Sequence, residues 1–374
     1  MDFKNTFKGR RVLVTGDTGF KGSWLCEWLL SEGAEVYGLG LAPNTEPSLF
    51  DQLNLAKRIS HVELDIRDAT ALADYIDTIA PEIVLHLAAQ PLVRLSYDIP
   101  VETYSTNVMG TVHLLDAIRK FNAFRSGAEQ PVSVVCVTTD KCYENKEWLH
   151  SYREEDPVGG HDPYSSSKGA CEIAIQSFRK SYFSNPAECG VAVASARAGN
   201  VIGGGDWALD RIIPDCVTAL RAGAEIPVRN KVATRPWQHV LEPLGGYLLL
   251  AAELWRGLSS QAPLQANFDY RELCGAFNFG PNLQSNRTVK DLVEEVLKHW
   301  KGTWRDQSEP NALHEASLLN LSVDKAFHVL NWSPRWGFAQ TIQETIEWYA
   351  AAESSEFDAQ VLTREQIRRY QLSA

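Results

Sequence analysis

The stretch RVLVTGDTGFKGSWLCEWLLSEG at 11–33 constrains the fold of this chain more than any other. Residues 11–15 are a short β-branched run, and Gly16-Asp17-Thr18-Gly19-Phe20-Lys21-Gly22 follows without a spacer. SWLCEWLLSEG then reads as an amphipathic helix stopped by Gly33. Strand, glycine loop and helix in immediate succession open a βαβ unit, which commits the chain to a parallel sheet covered by helices. Glycines let a backbone approach a pyrophosphate, and the helix N-terminus points N–H donors at it. The spacing G-x-x-G-x-x-G departs from the commoner G-x-G-x-x-G, and glycine loops without a ligand are frequent. The strand–helix context favours a dinucleotide loop.

The alternation continues downstream. AEVYGLGL at 34–41 is a second strand, HVELDIRD at 61–68 a third and PEIVLHLAAQP at 81–91 a fourth. Residues 102–124 read as a helix, and 132–137 as a central apolar strand. The fold class expected is α/β: a doubly wound, Rossmann-type parallel sheet with a smaller C-terminal α/β substrate lobe. After the strand in VAVASARAGNVIGGGDWALDRIIPD the regular alternation fades, and Asp206, Trp207, Asp210 and Arg211 crowd together. The division expected is a dinucleotide domain at 1–199 and a substrate lobe at 200–374, with segments near 236–256 and 276–281 returning to the first domain. Trp207 and Trp237 alone among the tryptophans sit in polar motifs where a base or sugar can stack. The tail after Glu353 reads as helical and says little about function.

Where the second strand stops, an acid would hold the adenosine ribose of NAD and a base the extra phosphate of NADP. The chain offers Gly40-Leu41-Ala42 and neither group, while Lys21 favours NADP, so these residues leave both open. Asp65 and Ile66 end the third strand beside an adenine edge, and small Ala88 and Ala89 let backbone pass close to the cofactor. His86 is read as a packed core histidine.

The chemistry concentrates after the central strand. Residues 134–172 read VVCVTTDKCYEN, a polar loop, and DPYSSSKGACE. Tyr164 and Lys168, four apart on a helical pattern, share one face, and a nearby ammonium favours the phenolate. Tyr164 is thus a candidate acceptor of a hydroxyl proton. A solvated helix face would give the same spacing. The preceding strand, ending in Thr138, Thr139 and Asp140, favours an active site.

Composition narrows the partners. A net charge of −11 with no basic run excludes nucleic acid and anionic membrane as expected partners, so an anionic substrate needs local arginines. Seven cysteines without a C-x-x-C pair fit reduced cytoplasmic thiols rather than disulfides or a metal site, and no apolar run is long enough to span a bilayer.

The segments TGDTGFKG, LDIRD, HLAAQP, NVMGT, VTTDKCY, YSSSK and RAGNVIGGGDW together resemble the extended short-chain dehydrogenase/reductase family. Within it the chain looks most like the nucleotide-sugar 4,6-dehydratases, and TTDKCYEN and RPWQHVLEPLGGYL look like the branch that acts on CDP-sugars. The resemblance implies retained NAD, bound by Gly16, Thr18, Gly19, Phe20, Lys21, Gly22, Asp65, Ile66, Leu87, Ala88, Ala89, Gln90, Asn107, Thr138, Tyr164 and Lys168. It implies Thr139, Asp140, Lys141, Tyr164 and Lys168 as catalytic residues. Lys141 stands where the dTDP-glucose branch carries Glu; it is either the C5 base or a cation that stabilises an enolate. Substrate phosphates and sugar fall to Thr139, Asn200, Arg211, Arg235 and, more weakly, Arg287. A homodimer, or a dimer of dimers, is implied through the helices that start near Glu102 and Ser165. A nucleotide-sugar 4-epimerase and a dinucleotide sensor without catalysis share much of this scaffold. Asp140 and Lys141 speak against the first, and the Tyr164–Lys168 pair against the second.

Overall fold

In the computed structural model the apolar runs become strands and the 3.6-period runs become helices. The structure describes all residues except 124–129, 209–210, 263, 265–268, 309–317 and 374, so Asp210 lies outside the described residues. The strands are β1 Arg11–Thr15, β2 Glu35–Gly40, β3 Ser60–Glu63, β4 Ile83–His86, β5 Val132–Val137, β6 Val191–Ala198, β7 Val201–Ile202, β8 Ile226–Val228, β9 Thr234–Pro236, β10 Gln238–His239, β11 Ala276–Phe279, β12 Asn286–Thr288 and β13 Trp304–Asp306. The helices are α1 Phe20–Ser31, α2 Leu49–Gln52, α3 Ala69–Ile79, α4 Val93–Asp98, α5 Pro100–Tyr104, α6 Gly110–Ala123, α7 Pro163–Ser181, α8 Pro186–Cys189, α9 Ile212–Arg221, α10 Leu241–Leu258, α11 Val289–His299, α12 Asp324–Leu330, α13 Phe338–Ala351 and α14 Ala359–Leu372.

Among the described residues, seven strands form one sheet in the order β11-β6-β5-β4-β1-β2-β3, and every pair in it is parallel. The order reverses between β1 and β4, and a crevice at that switch point is where ligands bind in such sheets. One face is covered by α3, α6 and α7 through Leu72, Ile76, Leu114, Ile118, Cys171 and Ile175. The other is covered by α1 and α10 through Trp24, Trp28, Leu244 and Leu248. Both faces are dry, which is why β5 and β6 are apolar without alternation. Helix α10 packs on β4, β5 and β6, and β11 pairs with β6 at the sheet edge.

Two strands are shorter than their apolar runs. β3 stops at Glu63 because the chain turns at Asp65, where the Asp68 N–H donates to the Asp65 carbonyl. β4 stops at His86 because the next two amides turn back to Thr15: Leu87 N–H donates to its carbonyl, and Ala88 N–H to its hydroxyl at 3.1 Å. Leu87, Ala88, Ala89 and Gln90 therefore form a half-exposed loop beyond the sheet edge. The single helix expected at 102–124 is split into α5 and α6 by a wide turn at Ser105–Met109. In that turn the Asn107 carbonyl accepts from the Thr111 hydroxyl (2.7 Å) and the Cys171 thiol (2.9 Å).

The C-terminal tail is structural. Tyr370 on α14 is fully buried between Trp28 and Trp336, and its hydroxyl donates to the buried Glu242 carboxylate at 2.8 Å. Trp237 is also core: it is 4% exposed, and its indole N–H donates to the Arg287 carbonyl at 3.0 Å. Trp207 packs on Trp348 and Tyr349 and donates to Gln52. The Trp237 indole is therefore not a stacking platform for a ligand, because a tryptophan inside a polar sequence motif can still face the core.

Candidate active site

The site is assembled from four chain segments at the carboxyl edge of the sheet. The first is the glycine loop between β1 and α1. Gly16 adopts φ +74°, a left-handed conformation that L side chains rarely take. A Cβ on Gly22 would lie 2.0 Å from the Gly16 carbonyl oxygen, so the first turn of α1 can seat on the loop only if this residue has no side chain. Helix α1 begins at Phe20, earlier than the sequence pattern indicates, and its N-cap Gly19 offers no capping side chain. The first amides of α1 are left for an anion, which suits a pyrophosphate. Gly22→Ala is expected to push loop and helix apart and weaken cofactor binding at least tenfold, with the far-ultraviolet dichroism unchanged. Fluorescence titration with NAD measures it.

Lys21 does not face the end of β2, where an NADP phosphate would sit. Its ammonium is lowered to about 8 by burial first, then by Arg211, with Asp140 opposing, so it sits among the groups of the β5 end. Over β2 lies Asp17 instead, fully buried, its Oδ2 2.7 Å from His61 Nδ1 and filling the space beside Gly38. Asp65 lies past β3, and its carboxylate chelates the Arg67 guanidinium; Ile66 packs against Gly110 in the core. Thr18 donates to the Leu41 carbonyl at 2.8 Å.

The second segment is the β4 exit loop, held by Asn107. The Asn107 side chain accepts from the Gln90 N–H (2.8 Å) and donates to the Gln90 carbonyl and the Ser167 hydroxyl (2.8 Å). Its amide is wholly engaged within the protein, so it holds the loop rather than presenting itself to a ligand. His86 is buried between Thr15 Oγ1 (2.6 Å) and Thr111 Oγ1 (3.1 Å), and burial lowers it to about 3, a neutral packed ring.

The third segment is the end of β5. Thr138 turns inward and donates to Glu172, while Thr139 donates to Asp140 Oδ1 at 2.9 Å and accepts from the Lys141 N–H. Asp140 is 4% exposed, and burial raises its carboxyl above the ordinary range against the pull of Lys141, Thr139 and Lys21. Lys141 is half-buried.

The fourth is α7. Asp162 caps it by accepting from the Ser165 N–H at 2.9 Å, and Pro163 opens the first turn. Tyr164 and Lys168 then face the β5 end, both buried. Burial pushes the Tyr164 phenol up; a hydrogen bond with Thr139 and the Arg211 guanidinium pull it down, and Asp140 pushes it further up. This corrects the expectation that Lys168 tips the phenol towards phenolate, because desolvation is the larger effect. Lys168 is itself lowered by burial.

The β6–β7 link closes over these groups. A side chain at Gly199 would lie 2.7 Å from Asp140 Oδ2 and 3.7 Å from Pro236, so the backbone just before Asn200 meets Asp140 and β9. Arg211 is paired with Asp206 at 2.7 Å and acts on Tyr164. Arg235 and Arg287 are direct partners across the antiparallel β9–β12 ribbon. Sequence spacing gave Arg287 no neighbour, and only the ribbon pairs it. Two further residues, Glu172 and Arg197, lie in motifs read for other residues and form a buried ion pair at 2.8 Å behind the site.

A sequence profile of the family described as GDP-mannose 4,6 dehydratase matches residues 13–345. The CDP-glucose 4,6-dehydratase of Salmonella typhimurium is 46% identical over 354 residues, which cover 93% of this chain and 92% of that protein. A dTDP-glucose 4,6-dehydratase of Escherichia coli K12 is 25% identical over 91% of this chain and 92% of its own. Among solved structures, the dTDP-glucose 4,6-dehydratase of Streptomyces venezuelae with NAD bound superposes with a TM-score of 0.72 at 24% identity, over 91% of this chain and 97% of that one. The UDP-glucose 4-epimerase of Thermotoga maritima does so with a TM-score of 0.73 at 21% identity, over 92% of this chain and 100% of its own. With a glycine loop on β1, a Tyr–Lys pair on α7 and acid–base groups at the end of β5, the chain belongs to the GDP-mannose 4,6-dehydratase family of extended short-chain dehydrogenases/reductases.

Proposed function

We infer that this chain is an NAD-dependent hydro-lyase that converts CDP-D-glucose to CDP-4-dehydro-6-deoxy-D-glucose and water. The observation that carries the reading is the Asp140–Lys141 pair set against Thr139 and Tyr164, in a chain whose strong sequence likeness is to a CDP-glucose dehydratase. Epimerisation at C4 has no use for an acid at C6 or a base at C5.

Bound NAD would supply a hydride acceptor for C4 and a hydride donor for C6, so the cycle would consume no oxidant. Gly16, Gly19 and the first turn of α1 suit its pyrophosphate, and the β4 exit loop borders the same crevice. Tyr164 takes the C4 hydroxyl proton, with Thr139 orienting that hydroxyl. The 4-ketone acidifies the C5 hydrogen, which Lys141 removes. Asp140, whose carboxyl burial raises, is the acid placed to protonate the departing C6 oxygen. The diphosphate falls to Arg235 and Arg287, cross-strand neighbours on the β9–β12 ribbon, because a guanidinium fork suits phosphate oxygens. Arg211 and Asn200 meet the sugar side.

Incubation with CDP-, dTDP-, UDP- and GDP-sugars, with products weighed by mass spectrometry, tests the reading. CDP-glucose is expected to lose 18 mass units (one water) with no net reduction of NAD. Stoichiometric reduced cofactor would instead indicate a simple dehydrogenase, and an unchanged mass with inverted C4 an epimerase.

The pairing surface follows the same reading. Val101 (75% exposed), Tyr104, Met109 and Ile173 (60% exposed) line the outer side of α5, the Ser105–Met109 turn and α7, an apolar area that a second copy would cover by two-fold pairing. Sedimentation at micromolar concentration is expected to show a dimer, and Val101→Asp with Ile173→Glu a monomer. A wild-type monomer would refute the pairing.

A further inference from the structure

Behind the reacting groups lies a polar cluster that no step of the dehydration uses. Glu172, one turn after Lys168 on α7, is 5% exposed and accepts from the Thr138 hydroxyl (2.5 Å), the Ser195 hydroxyl (2.8 Å) and Arg197 Nη2 (2.8 Å). Arg197, near the end of β6 and 4% exposed, donates through Nη1 to the Tyr143 hydroxyl (2.7 Å) and the Glu154 carbonyl (3.1 Å). The Tyr143 hydroxyl in turn donates to Asn278 Oδ1 at 2.8 Å. Thr138 and Tyr143 bracket the Thr139–Asp140–Lys141 segment from both sides, and Glu172 shares the helix face of Tyr164 and Lys168.

We propose that Glu172 and Arg197 are positioning residues: their buried ion pair fixes the acid–base turn after β5 against the Tyr164–Lys168 face of α7. The proposal rests on the dehydratase reading. A buried ion pair is a poor device for stability alone, since apolar side chains of the same volume are often as stabilising or more so. Here the charges hold atoms on the two segments whose groups must meet one sugar at C4, C5 and C6. One carboxylate oxygen anchors Thr138, and the other joins β6 to α7. A displacement of about 1 Å in such groups costs about a hundredfold in rate. Released from its anchors, the short turn at Asp140–Cys142 can shift, whereas Tyr164 and Lys168 remain fixed by their helix. Elimination is therefore the step that suffers most.

The test compares wild type with Thr138→Val, Glu172→Gln and the double variant Glu172→Gln/Arg197→Met. Each is scored for melting temperature, kcat, KM and reduced cofactor accumulated during turnover, on whichever sugar nucleotide the wild type dehydrates. The double variant leaves no unpaired buried charge, so its melting temperature should return to near wild type. Its kcat should stay at least tenfold down with KM changed less than threefold, and reduced cofactor should build up because elimination lags. Thr138→Val, with the ion pair intact, should show the same split in milder form. Recovery of kcat together with stability in the double variant overturns the proposal. If the double variant does not fold, wild-type kcat in Thr138→Val does so. A wild type that dehydrates dTDP-glucose but not CDP-glucose corrects the substrate and leaves the positioning test standing; one that dehydrates no sugar nucleotide ends both.

Discussion

Tyr164→Phe folds, binds NAD and turns over CDP-glucose at least a hundredfold more slowly than wild type. The expectation comes from what the phenol touches. Tyr164 is 8% exposed, its hydroxyl faces Thr139, and burial pushes its pKa up rather than down. To accept the C4 proton Tyr164 must react as the phenolate, which burial and the Asp140 charge disfavour and which Thr139 and Arg211 favour. Removing the hydroxyl takes away the acceptor at C4, and a positioned acid–base group contributes about 10²–10⁴-fold. Stability should hardly change, because Thr139 keeps its bonds to Asp140 and the Lys141 amide. Steady-state kcat beside a thermal melt checks it. Near-normal turnover would move the proton to another group, and wild-type turnover with a lowered melting temperature would make Tyr164 a packing residue.

Much of this site is legible in the sequence because it is local. RVLVT followed by a glycine loop can be read on its own, and so can Tyr164 and Lys168 on one helix face. What escapes is set by tertiary contacts. Lys21 reads as a phosphate ligand in its loop, yet the first turn of α1 aims it at Asp140 and Arg211. No acid follows β2, but Gly38 and Gly40, two apart on one face of the strand, leave space that the Asp17 carboxylate enters from another loop. Spacing alone could have flagged those glycines. Arg235 and Arg287 are far apart in the chain and meet only because β9 and β12 pair. Apolar residues at 81–91 run on past the point where the backbone turns back to Thr15, so the strand is shorter than its sequence pattern. A linear pattern shows the Lys168 charge near Tyr164 but not the desolvation that acts on both.

Asp140→Asn and Lys141→Ala separate oxidation at C4 from loss of water. Both variants keep Tyr164, Thr139 and the glycine loop, so the first proton and hydride transfers remain possible. Each should therefore hold reduced cofactor and a 4-keto sugar that retains its C6 oxygen, with net dehydration at least a hundredfold slower. Asparagine fills the space of Asp140 against Gly199 and can still accept from the Thr139 hydroxyl, but it has no proton to give the leaving oxygen. Lys141 is the charge that acts most strongly on Asp140, and its removal lets the carboxyl rise further. The acid is thus kept, and the base is lost. Deuterated water distinguishes the two: the Asp140 variant, with its base intact, exchanges the C5 hydrogen while dehydration stalls, and the Lys141 variant does not. If Lys141 is instead a cation that stabilises the enolate, Lys141→Arg retains exchange and elimination while Lys141→Ala loses both, because a guanidinium carries the charge but does not take a proton near neutral pH. A half-buried strand-end lysine without a chemical role would cost little on removal. Wild-type elimination and C5 exchange in Lys141→Ala would therefore take the base assignment away from it and leave Tyr164, already proximal to the sugar, as the group to test next.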